Sequence, residues 1–526
     1  MGATSPARVA RAVLAALGIG ACADAPFPQQ PSDSPVVRVG APTEIWDFSL
    51  SETWGYYESQ VARFTFEGLT ITDDHGDVVP GLAQAWEVSP DGRRYTFHLR
   101  TDVRFHDGAR FTAADVERAW LAALQDGPAS ASHPWQLDPI DGALDASRRN
   151  TPSVRGIRVV NDSTLVVMLT ETLAFFPRLL SLPRVAIPGA SSAPLAPVGT
   201  GPWRWVAGGG PGSSEVRFAR YDDYWGPRAE LDSLIYRTVM DSMMPAAFAA
   251  GWVDFAPELD AATRTEWSTR VDIGLVESPP EGITRIVINL LEPRFQDPRV
   301  REALNLAIDT RQLGEALGAL HPHGISGSIP PYLAGGTHRR RPYGFDPERA
   351  RRLLQEARFP LDRPVRLWVL EPGLADFPPQ TGPLIRDYLE AVGLDVELSI
   401  KNAEDMDGAM TRREADLAVS AWFADYQDAD AYLYPLYHSN TAGSAGNEGW
   451  FRDAEVDRLI MAARRERDIT RRRDLLAAAD ARIFEQAPVI FLWYAGTATA
   501  YSLRLAGWSR APAESRLTDV RLARRP

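Results

Sequence analysis

Two spacings of apolar residues alternate along this chain. Tyr95, Phe97 and Leu99 occupy every second position with polar residues between them, as in a strand that turns one face to a core. Gly156 to Val160 and Leu165 to Leu169 form two further strand-like runs around Asn161-Asp162-Ser163, which predicts a hairpin. Elsewhere the spacing is helical. Val116, Ala119, Trp120 and Ala123 share one face after Thr112, which can cap the helix while Asp115 returns the bond three residues on. Asp297-Pro298 and Asp346-Pro347 each put a capping carboxylate before a proline at the first helical position. Apolar stripes follow both, at Val300, Ala303, Leu304, Ala307 and Ile308 and at Ala350, Leu353, Leu354 and Ala357. Asp453 precedes Val456, Leu459, Ile460 and Ala463 in the same register. Strands are expected at Arg285 to Leu290, Val365 to Leu370 and Val396 to Ile400, the last after a helix ending near Gly393. This is the pattern of a mixed α/β protein. Turn-rich stretches at Pro183 to Pro202 and Pro279-Pro280-Glu281-Gly282 suggest where lobes meet, and Gly208 to Gly212 reads as a hairpin tip.

With 526 residues the chain exceeds what one hydrophobic core supports, so roughly two to four lobes are expected. A net charge of −13 argues against nucleic acid as a partner, since that needs a basic face. The N-terminus adds a location. Arg8 and Arg11 precede the apolar run Val13 to Ile19, which is too short for a permanent membrane helix and fits an export signal over residues 1–21. Ile19-Gly20-Ala21-Cys22 resembles the bacterial lipobox, in which the cysteine is lipidated and becomes the mature N-terminus. Cys22 is the only cysteine, so disulfides, thiolate metal sites and a cysteine nucleophile are excluded from the mature fold. Residues 22–35, with four prolines from Ala23 to Pro35, read as a lipid-anchored tether that holds a globule outside the membrane.

Catalytic grammar is missing. There is no P-loop, GxSxG elbow, HExxH helix or GxGxxG turn, and the Gly208 to Gly212 run lacks the dinucleotide spacing. His321 and His323 are the closest histidine pair, with no carboxylate placed to complete a metal site. Asp222-Asp223 and Asp428 with Asp430 could serve glycoside hydrolysis, but such neighbours arise constantly in an acidic chain. No catalytic residue, cofactor or metal is therefore expected, and the protein is read as a binder rather than an enzyme.

Several ordered blocks carry a resemblance. Val79-Pro80-Gly81-Leu82-Ala83-Gln84-Ala85-Trp86-Glu87-Val88, then Asp91-Gly92 and Tyr95 to Arg100, are similar to family 5 of the bacterial extracellular solute-binding proteins. So are Val103 to Gly108 with Phe111 to Val116; Phe66-Glu67-Gly68-Leu69-Thr70; Pro197 to Trp203; Tyr224-Trp225-Gly226; Asp297 to Asp309; and Trp422-Phe423-Ala424-Asp425-Tyr426. The resemblance implies a type II periplasmic-binding-protein-like fold of three lobes, with the ligand enclosed by hinge closure between lobes I and III. Lobe I is expected from 36–54, 186–284 and 490–526, lobe II from 55–185 and lobe III from 285–489. It also implies a monomeric receptor in the periplasm or cell envelope that captures peptides and delivers them to an ABC permease with its ATPase subunits. A sugar, opine or metal chelate is the alternative cargo, because one fold serves many ligands.

In peptide-binding members the Asp of the last block pairs with the ligand's α-ammonium, and Asp425 occupies that slot. The resemblance thus implies ligand contacts at Asp425, Trp422, Ala424 and Tyr426, with Trp422 as an apolar or cation–π wall. The other end of the ligand is less defined. Oligopeptide binders have an arginine where Val419 stands, and dipeptide binders have one in a loop that here reads Glu371-Pro372-Gly373. Arg412 and Arg413 lie near another basic position that oligopeptide binders use.

Overall fold

A computed structural model describes residues 27–28, 30, 34–50, 56–73, 76–125, 133–149, 151–257, 259, 261–280, 282–337, 340–371, 377–443, 446–507 and 516–523. The expected export signal and Cys22 lie outside the described residues, as does most of the tether. The polar caps set helix starts as expected. Asp297 accepts from Arg299 N at 2.9 Å, Asp346 from Arg349 N at 2.9 Å and Asp453 from Glu455 N and Val456 N at 2.9 and 3.0 Å. At Thr112 only the return half of the capping box forms. The Asp115 carboxylate accepts from both Thr112 N and Thr112 Oγ1, at 3.0 and 2.9 Å, which commits the hydroxyl that was expected to cap.

Three main sheets result. A seven-stranded sheet runs in the order 273–277, 498–502, 255–256, 36–41, 233–238, 215–220, 203–208. A five-stranded sheet runs 396–401, 365–370, 417–423, 282–288, 489–495, and a four-stranded one 83–88, 94–99, 164–168, 157–161. Gly208, Gly209, Gly210 and Gly212 all adopt positive φ, between 76° and 94°, and turn strand Trp203–Gly208 into its antiparallel partner Glu215–Arg220. That run is a hairpin tip because only glycine takes up this backbone without strain.

Two of the expected lobe boundaries fall inside strands. Residues 285 and 490 belong to Gly282–Ile288 and Val489–Ala495, which pair with each other in the five-stranded sheet. The chain crosses to the seven-stranded sheet only at Gly496-Thr497, because a strand cannot leave its ladder midway without orphaning backbone groups. The two crossings touch. Ser278 N donates to Thr497 O at 2.9 Å, and Thr497 N donates to Ser278 Oγ at 3.0 Å. The four-stranded sheet also shares one continuous apolar cluster with the helices Asp430–Tyr437, Ala454–Arg465 and Ile469–Gln486. Phe175 makes that junction, stacked on Tyr426 at 5.6 Å with the Arg464 and Arg472 guanidinium groups over its ring at 5.3 and 5.4 Å.

Several of the sequence blocks meet at one buried carboxylate. Glu67 accepts from Thr200 Oγ1 at 2.9 Å, Tyr224 Oη at 2.8 Å, Trp225 Nε1 at 2.7 Å and Arg516 Nη1 at 2.8 Å. His106 joins the same region, with Nε2 2.9 Å from Gly201 O, and burial pushes its imidazole down to about 4. A Cβ on Gly199 would lie 1.9 Å from Thr65 O, so the glycines of that block are fixed by close backbone approach.

Candidate functional site

Beside the two crossings opens a cavity of about 1090 Å³ between the seven-stranded and five-stranded sheets. Leu259, Arg264 and Ala498 line it from one side, and Thr284, Ala421, Phe423 and Trp493 from the other. One strand gives it its chemistry. Leu417–Phe423 pairs with Gly282–Ile288 along its whole length, but on its other side Val365–Leu370 meets it only at Leu417 and Ala418. From Val419 to Phe423 that edge has no partner strand among the described residues, and Val419, Ser420, Ala421 and Phe423 line the cavity. Backbone N–H and C=O groups on an open edge need partners, which water or an extended chain can supply.

The predicted site residues divide by direction. Asp425 stands two residues beyond Phe423, exposed to solvent, with no hydrogen bond or ion pair to any described residue. The protein crowded around it pushes its carboxyl above the usual range, and the Arg184 guanidinium opposes that rise without reaching an ion pair. Ala424 is half-buried beside it. Trp422 is not among the residues lining the cavity; its Nε1 donates to Ala431 O at 2.9 Å, which ties the strand to the helix behind. Tyr426 is only 7 % exposed and its hydroxyl donates to Asp430 at 2.9 Å. Its ring packs on Phe175 at 5.6 Å, and Tyr426 is not among the residues lining the cavity.

Phe423 is the aromatic of the Trp422 to Tyr426 block that lines the cavity, 47 % exposed, beside Phe377 and Trp493 from other segments. It rests on Gly282, where a Cβ would come within 2.8 Å of the ring. Arg412 and Arg413 lie elsewhere. Arg412 pairs with Glu414 at 2.9 Å and Arg413 with Glu292 at 3.9 Å. Asp428 and Asp430, raised above as a hydrolytic pair, are held by Arg472 and Arg464, each at 2.7 Å. Among the described residues no three His, Cys, Asp or Glu side chains gather as a metal site, and no helix is long and apolar enough to cross a membrane.

Known proteins with this architecture bind solutes. The chain is 26 % identical over 460 residues to heme-binding protein A of Haemophilus influenzae, covering 83 % of this chain and 82 % of that one. It is 27 % identical over 519 residues to the glutathione-binding protein GsiB of Salmonella choleraesuis, covering 94 % and 95 %. The periplasmic binding protein DppA of Helicobacter pylori, solved with the peptide STSA, superposes with a TM-score of 0.76 at 22 % identity, over 93 % of this chain and 98 % of that one. These relatives are solute-binding transport proteins rather than enzymes. Residues 77–444, well over half of the sequence, match the middle region of the bacterial extracellular solute-binding proteins, family 5, and the chain belongs to that family.

Proposed function

We propose that the protein captures peptides in the cleft between its first and third lobes and hands them to an ABC permease and its ATPase subunits. The open edge from Val419 to Phe423 carries this reading, because an extended peptide can add to it as a further strand. Asp425, at the end of that edge and without a partner, suits the peptide's α-ammonium. Glutathione and STSA, the ligands named for two of the similar proteins, are both short peptides. A neutral sugar in the same place leaves the carboxylate without a cation. In this reading the chain is exported, lipidated at Cys22, held by the 22–35 tether in the periplasm or cell envelope, and acts as a monomer.

Calorimetry with a free and an N-acetylated peptide, on wild type and Asp425→Asn, tests the assignment. Loss of one partner of a desolvated charge pair costs about 2–5 kcal/mol, so the variant should bind free peptide roughly 30- to 5,000-fold more weakly. It should also lose the preference for the free over the acetylated form. Because the Asp425 pKa is raised, wild-type affinity should fall with acidification at a higher pH than an ordinary aspartate would give. Losses that simply add would show that residue and ammonium do not meet, and binding of sugars or chelates alone would remove the peptide reading.

A further inference from the structure

The charges around the cavity are lopsided. Asp241, Asp407 and Glu448 line it, and among the described residues Arg264 is the single basic one that does. An enclosed anion therefore has one favourable place on this wall. Arg264 belongs to the helix Ala261–Trp267, on the side of the seven-stranded sheet, whereas Asp407, Glu448 and the open strand edge lie on the other side. Its guanidinium is half-buried and has no ion-pair partner among the described residues. One amine, Nη2, donates across the cleft to Gly318 O at 3.1 Å, which fixes the planar group and leaves its other N–H groups available. The neighbouring His321 does not supplement the charge. Its Nε2 is buried without a hydrogen bond, packed where a Cβ on Gly496 would lie 3.2 Å away. Burial lowers its pKa, Glu277 opposing and Arg264 and His323 reinforcing that shift, so the ring stays neutral.

We propose that Arg264 holds the carboxylate of the bound ligand and so sets a requirement for an anionic terminus. The inference rests on the peptide reading and adds the group that answers the ligand's other end. It also couples recognition to closure. A guanidinium that touches Gly318 and the ligand together joins both walls of the cleft.

The test compares a free-acid peptide with its C-terminal amide on wild type, Arg264→Gln and Arg264→Lys, by calorimetry, with thermal melting to confirm folding. Wild type should prefer the acid by about 10- to 100-fold, the range of a partly exposed charge-assisted hydrogen bond. Arg264→Gln should bind acid and amide alike, and Arg264→Lys should keep part of the preference. Equal affinity of wild type for acid and amide, or an equal loss for both in Arg264→Gln, overturns the assignment while the peptide reading stands. A wild type that binds neither peptide form removes both readings together.

Discussion

Glu67 shows how one side chain can hold distant segments. Its carboxylate is fully buried and takes donors from Thr200, Tyr224, Trp225 and Arg516, residues that lie far apart in sequence. A carboxylate suits this place because it only accepts, and every neighbour donates. Glu67→Gln introduces two donors into a ring of donors and removes the carboxylate that pairs with Arg516. Equilibrium denaturation followed by tryptophan fluorescence should show a loss of about 3 kcal/mol, the lower end for a broken buried pair, since Arg516 keeps some contact with water. A change under about 1 kcal/mol would mean the network contributes little beyond packing. The sequence displayed Glu67, Thr200 and Tyr224-Trp225 in separate blocks and Arg516 in none, with nothing to indicate that they meet at one carboxylate. The same limit applied to the site. Asp425 could be picked out from its slot in the block that resembles peptide-binding members, but whether Phe423 or Tyr426 lines the cavity depends on where Phe175 docks, and no local spacing encodes that.

At the scale of elements, periodicity was readable wherever a strand or helix has one buried face. The stripes after Asp297 and Asp453 and the alternation of Tyr95, Phe97 and Leu99 all correspond to buried positions, and in the stripe after Asp346 Ala350 and Leu354 are buried while Leu353 and Ala357 are half-buried. Strand Gly282–Ile288 hid its start, because it is buried on both faces and so carries no alternation there. The missing partner beyond Ala418 was equally invisible, since an open edge is a property of the neighbour, here Val365–Leu370. That edge leads to a distinct prediction. A peptide pairing with it presents its amides alternately toward the strand and away from it. Single N-methylation along a bound peptide should therefore weaken affinity at every second residue and leave the others nearly unchanged, as read by competition binding. A uniform response would show that the peptide does not lie along Val419 to Phe423.

For the whole molecule, the proposed tether and lipid anchor would decide where the receptor works. One acyl chain gives only marginal membrane affinity, whereas several together hold firmly. In fractionated cells expressing the full chain, wild type should sediment with membranes and Cys22→Ser should appear in the soluble or unprocessed fraction. Unchanged sedimentation of the variant would remove the lipid from the proposal.

The contact between the two crossings has a mechanical consequence. Two independent connections would let the bodies they join swing, slide and twist. Ser278 and Thr497 are bonded to each other, which ties the connections into a single pivot. The two connections are therefore restrained to move together where they pass between the sheets.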